Sequence, residues 1–112
     1  MTRYLISFDD GTMNIPEDEL PEVSEASIEV VREAQDAGVW VFGGGLESQR
    51  ASVVGTDGTV TDGPYPETKA VLGGFSIIDV PSREDALKWA AKIAAACRCA
   101  QEVREFMADP TA

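Results

Sequence analysis

Apolar and polar residues alternate with a period of two in several short runs of this chain and with a period near 3.6 in two longer ones. In RYLISF (3–8), Tyr4, Ile6 and Phe8 share one face and Leu5 and Ser7 the other, which predicts a first strand. A polar loop, DDGTMNIPEDELP, follows. Val23, Ala26, Val30, Ala34 and Ala37 then recur every three or four residues as one buried stripe of a helix, with Ser27 beside it and Glu29, Arg32, Glu33 and Asp36 on the wet side. Pro21 suits the first turn of that helix, where its missing N–H is no loss. Glu22 and Glu25 favour the positive end of the helix dipole, and Gly38 is a natural stop.

VWVFGGG (39–45) reads as a second strand, with Val39 and Val41 on one face and Trp40 and Phe42 on the other. ASVVGTDGTVTDG predicts a small hairpin turning at Asp57-Gly58. FSIIDV (75–80) is a strand apolar on both sides, ended by Pro81. Ser82 with Asp85 resembles a capping box. It opens a helix whose stripe is Ala86, Ala90, Ile93 and Cys97, with Leu87 and Ala94 alongside. AQEVREFM (100–107) alternates as a last strand. Without the hairpin the order is β-α-β-β-α-β, an α+β, ferredoxin-like plan with an antiparallel sheet and both helices on one face. All 112 residues form one domain.

Two helices cover one face of a sheet, yet strands 39–45 and 75–80 carry large apolar groups on both. The open face is a larger patch than a monomer comfortably exposes. The expectation is a twofold homodimer with facing sheets. In the alternative, the hairpin and the 61–74 loop cover that face within one chain.

Charge narrows the partners. Twenty acidic against nine basic residues give −11, which disfavours phosphate backbones, and so nucleic acid, and anionic membranes as well. No run approaches the ~20 apolar residues of a membrane span, and MTRYLISFDDG lacks the apolar core of a signal peptide. A cytoplasmic location is expected. Cys97 and Cys99 are too close for an unstrained disulfide and are read as reduced thiols. With no histidine and two cysteines, no metal site and no cofactor are predicted.

Candidate chemistry concentrates in TDGPYPETKAVLGGF (61–75). Asp62-Gly63-Pro64 is a turn sequence in which Asp62 either accepts N–H bonds from its own loop or enters a cleft whose dryness makes it a general base. Tyr65 offers an aromatic wall and one hydroxyl, or packs at an interface. Glu67 and Lys69 share a face of an extended segment. They pair with each other, or Lys69 holds a ligand carboxylate. The runs Gly43-Gly44-Gly45 and Gly73-Gly74 ask for a reason within strands: close approach of a ligand or subunit, of which Gly44 and Gly45 are the candidate contacts, or a bulge. Neither run matches a nucleotide motif.

DGPYPETKAVLGGF resembles the signature of the DGPF proteins within the YCII-related family, with Tyr65 where phenylalanine is usual. AGVWVFGGGL (37–46), REDALKWAA (83–91) and EVREF (102–106) also fit, so the resemblance spans nearly the whole chain. It implies a dimeric ferredoxin-like fold of the α/β-barrel type. Most DGPF proteins have no established activity, and some accompany extracytoplasmic-function sigma factors. More distant relatives include a dehydrochlorinase of a chlorinated-aromatic pathway, thought to use a His–Asp pair. By alignment to Gly38 that histidine falls near Ser27, and Asp36 lies near the aspartate, so the dyad is broken here. Two functions follow as expectations. One is binding of a small, partly apolar metabolite near the DGPY loop, with lyase-like proton transfer by Asp62 as the accompanying chemistry. The other is a non-catalytic interaction module linked to transcription regulation.

Overall fold

The computed structural model describes residues 1–47, 51–63 and 72–111. Its elements in chain order are β1 (Thr2–Asp9), a 3-10 turn (Glu17–Glu19), α1 (Leu20–Asp36), β2 (Trp40–Gly45), β3 (Ser52–Val54), β4 (Val60–Asp62), β5 (Leu72–Val80), α2 (Arg83–Cys97) and β6 (Glu102–Glu105). The main sheet has the order β2-β5-β1-β6, every neighbouring pair antiparallel, and β3 with β4 forms a separate two-stranded sheet. This is the ferredoxin-like arrangement with a hairpin inserted between β2 and β5.

Tyr4, Ile6, Ile78 and Val80 point to the helical side and are buried with Ala34, Ala86 and Ala90. Ile6, Ile78 and Val80 are wholly dry, each contributing roughly 1.5–3 kcal/mol relative to exposure. Alanine in both helical stripes lets the helices sit close to the sheet. Gly38 ends α1 with φ 74°, its N–H donating to Gln35 O at 3.0 Å. Ser82 caps α2 by accepting from the Asp85 N–H at 3.2 Å. The hairpin turns at Gly58, φ 86°, with Asp57 Oδ1 accepting the Thr59 N–H at 2.9 Å.

The pattern of β2 differs from strict alternation. Trp40 lies opposite Ile78, and Phe42 lies opposite the next residue, Ile77, so the ladder is irregular between them. A bulge therefore turns Phe42 away from Trp40. Trp40 packs against the core, whereas Phe42 meets Phe75 on the open face, ring centroids 6.3 Å apart. Gly43 follows from this crowding. A Cβ there would lie 2.7 Å from Phe75 O and 2.9 Å from Ser76 Cα, both backbone, and 2.8 Å from the Trp40 ring. Gly73 and Gly74 have packing reasons too: a Cβ at Gly73 would lie 2.9 Å from the Asp10 backbone, and one at Gly74 2.7 Å from the Phe8 ring.

The open face carries Leu5, Phe42, Phe75 and Ile77, with Phe42 62% exposed. The hairpin does not close it, and the paired Val54 and Val60 are themselves exposed. Gly43→Ala should destabilise the fold by roughly 1–3 kcal/mol through overpacking. Gly44→Ala, which meets nothing within 4 Å, should stay within about 0.5 kcal/mol of the parent. Urea denaturation of the two variants checks the contrast.

Candidate functional site

The strand end at which β2 stops and β5 begins carries two of the predicted site residues. Leu46 N–H donates to Gly73 O at 2.8 Å, so the chain leaves β2 and returns into β5 at adjacent points. Gly44 and Gly45 stand at this end, and a Cβ on either would meet open space. Gly63 N–H donates to Ala51 O at 2.9 Å and closes the base of the hairpin. A Cβ on Gly63 would lie 3.0 Å from Val53 Cγ2, so this glycine has a packing reason. Asp62 ends β4 opposite Ser52 and is exposed. The desolvation a base needs must come to it from another segment or another chain. Tyr65, Glu67 and Lys69 lie outside the described residues.

A second locus lies between the helices and the sheet. Ser27 Oγ donates to Val23 O at 2.8 Å and stands 3.5 Å from Cys97 Sγ. These residues, with Val30, Ser76 and Ile93, line a cavity of about 60 Å³, far below the roughly 300 Å³ at which ligand pockets begin. Asp36, nine residues along α1, is about 13 Å away along the helix axis and exposed. The structure thus does not bring Ser27 and Asp36 together.

A third locus was not singled out from the sequence. Between the open face and the C-terminal segment runs a trough of about 890 Å³, walled by Val41, Ile77, Phe106 and Pro110, with Arg3 and Asp79 on its floor side. Asp79 Oδ1 is sealed from solvent and has no hydrogen-bond partner. The signal for it was present in FSIIDV: an acid at the open-face parity of a strand otherwise apolar on that face.

Other polar groups have local roles. Tyr4 Oη donates to Glu105 Oε1 at 3.2 Å, and burial first, then Glu105, raise the phenol above its usual pKa. Burial also raises the Cys99 thiol, with Cys97 adding to it and the Thr12 and Gln101 hydrogen bonds opposing. Among the described residues no group of three or more cysteine or acidic side chains is placed to hold a metal ion, and no helix is long and apolar enough to cross a membrane.

The YCII-related domain family matches residues 2–108. The chain belongs to the YCII-related family. No curated protein matches it. Among solved structures it is similar to the 5-chloro-2-hydroxyhydroquinone dehydrochlorinase of Burkholderia phenoliruptrix AC1100, in complex with 2,5-dihydroxybenzoquinone. Identity is 14%, the match covers 99% of this chain and 98% of that one, and the TM-score is 0.54. At that identity the likeness is one of fold.

Because burial raises its pKa, the Cys99 thiol ionises at higher pH than an ordinary cysteine. Iodoacetamide labelling followed by peptide mass spectrometry should show Cys99 modified far more slowly than free cysteine at pH 7.5. Its rate should still be climbing above about pH 10, where an unshifted thiol with a pKa of about 8.5 has largely levelled off.

Proposed function

We propose that this YCII-related protein is a homodimer that binds a small, partly apolar metabolite where the 61–74 loop meets the end of β2. The observation that carries the reading is the contrast among the strand glycines. Gly43, Gly73 and Gly74 are each required by a neighbour, whereas Gly44 and Gly45 front open space. Glycine lowers strand stability, and a pair without an internal steric reason fits close approach of something from outside. Asp62 and Gly63 stand at the base of the hairpin beside the same loop, and Tyr65, Glu67 and Lys69 follow within it. In this reading Tyr65 walls the ligand, Lys69 holds a carboxylate or enolate oxygen, Glu67 tunes Lys69, and Asp62, dried by closure of the loop, removes a proton.

The chemistry is lyase-like. With no histidine in the chain, the bases available for elimination or enolisation near neutral pH are a desolvated carboxylate, taken here as Asp62, or a lysine such as Lys69 with a lowered pKa. A dehydrochlorinase on the same fold supports ring-derived, enolisable compounds as the first class to try. Dimerisation through the open face accounts for Phe42 and Phe75, which two helices on the other side cannot cover. A second reading, a protein-interaction module serving a transcription regulator, draws on the exposed valine pair of the hairpin and the acidic surface.

Thermal-shift screening of aromatic acids, ring-cleavage products and enolisable keto acids separates the two readings. A true ligand at about 100 times its Kd adds ~2.7 kcal/mol to stability. The shift should vanish in Asp62→Asn and in Gly45→Val, which fills the open space without touching the core. A shift that persists in both variants places the ligand elsewhere. Silence across the panel, with a protein partner captured through the hairpin and lost in Val54→Asp, favours the interaction module. Light scattering should give the mass of a dimer, and a stable monomer would overturn the assembly.

A further inference from the structure

The open face contains one electrostatic mismatch that the chain does not resolve by itself. Asp79 lies on β5 opposite Arg3, in register, on the side away from the helices. It is half-buried, and its Oδ1 is closed to solvent with no donor. A carboxylate with one oxygen closed to solvent and no donor on it is helped by a cation or hydrogen-bond donor at its open side. The trough it lines has apolar walls at Ile77, Val41, Phe106 and Pro110 and also holds Arg3, Glu105 and Asp109.

The cations able to answer are few. Arg32 lies on α1, Arg83, Lys88 and Lys92 on α2, and Arg98 caps the end of α2, so five of them belong to the helical layer. Lys92 and Arg98 are further engaged by Glu33 and Glu19 at 3.1 and 3.0 Å. Among the described residues, only Arg3 and Arg104 sit at strand positions facing the open side. Arg3 is the cross-strand neighbour of Asp79, yet the two make no ion pair. Its charge reaches the tail, where Asp109 is held below the usual carboxylate range by Thr111 chiefly and by Arg3 in part. Arg104 is exposed and has no ion-pair partner among the described residues. It lies opposite Leu5, which lies opposite Ile77. It is therefore separated from Asp79 of its own chain by β1 and offset by two residues, and the two make no ion pair.

We propose that Asp79 of each chain accepts Arg104 of a second copy, the guanidinium entering the trough, so that two reciprocal ion pairs fix the register of the facing sheets. The inference rests on the homodimer of the preceding section and adds the residues that orient it. Twofold symmetry makes the contact self-complementary: a carboxylate socket and a free guanidinium on the same face of one chain become two matched pairs in the dimer. The need for such matching is sharp here, because each chain carries −11 and like charge resists association. Apolar contact between Phe42, Phe75, Leu5 and Ile77 supplies adhesion without direction, whereas opposite charges set one alignment and penalise others.

The test is a charge swap read by sedimentation equilibrium, with circular dichroism and thermal melts confirming that each variant is folded. Arg104→Asp, a change at an exposed position, should weaken the dimer by at least about 30-fold. Asp79→Asn should weaken it as well. Asp79→Arg combined with Arg104→Asp should bring the dissociation constant back to within about tenfold of the parent. Should Asp79→Arg not fold, the double-mutant cycle of Asp79→Asn with Arg104→Gln serves instead: both single losses should be nearly equal to the double loss. A parent dimer whose affinity ignores Arg104→Asp overturns the pairing and leaves the homodimer standing. Rescue of Asp79→Arg by Arg3→Asp, and not by Arg104→Asp, overturns Arg104 as the donor. A monomeric parent removes both proposals.

Discussion

Ala34, Ala86 and Ala90 bring two helices down onto Tyr4, Ile6, Ile78 and Val80, and nearly everything else follows from that one-sided packing. The central strands β1 and β5 are dry on the helical side, which fixes their register, since a slip of one residue would exchange every inward side chain for its neighbour. The same packing leaves the other side of those strands without a helix, and Leu5, Phe75 and Ile77 there are half-buried. Leu5, Phe75 and Ile77 are there because the strands are central and strongly apolar in both parities, as strands buried on two faces are. A sheet built this way carries apolar groups on a face that neither helix covers, which is the ground for the proposed dimer.

The bulge in β2 is where the two sides are negotiated. One extra residue between Trp40 and Phe42 lets consecutive large groups serve opposite faces without breaking the strand. Trp40 closes the core at the sheet edge, Phe42 joins Phe75 outside, and Gly43 absorbs the crowding where the Trp40 ring and the β5 backbone converge. Beyond it the strand continues as Gly44 and Gly45 with space around them. The glycine run thus has two halves with different causes, the first internal and steric, the second facing outward.

Much of this was legible from residue pattern alone. Period-two and period-3.6 runs located six strands and two helices, Asp57-Gly58 marked the hairpin, Gly38 ended α1, and Ser82 with Asp85 opened α2. Strict alternation failed at β2, because contiguous apolar residues do not reveal which of them a bulge displaces, and so Phe42 was paired with Trp40. Strand β5 starts at Leu72, three residues before the sequence reading began it, because Gly73 and Gly74, read as loop, continue the ladder beneath Phe8 and Asp10. Their absence of side chains is a packing requirement, which only three-dimensional neighbours disclose. Asp62, read as a turn residue, ends strand β4 opposite Ser52, and the chemistry of Tyr65, Glu67 and Lys69 lies outside the described residues. Asp79 was overlooked because an acid in a strand reads as a wet position. It became informative only when its oxygen proved sealed without a donor.

The two loci on the sheet stand at opposite ends of β5. Gly73 and Asp79 are six residues apart, about 20 Å along an extended strand. Ligand chemistry at the glycine end and subunit register at the Asp79 end therefore make separate demands on the same element. In the proposed dimer, β5 is fixed on one face by the helical core and at one end by paired charges, and so presents the backbone at its far end in one geometry. Small-molecule sites depend on such preorganisation, since loops that supply the reacting groups contribute little of it themselves. In the proposed dimer, the partner that covers Phe42 and Phe75 would also steady the strand that carries Gly73 and Gly74.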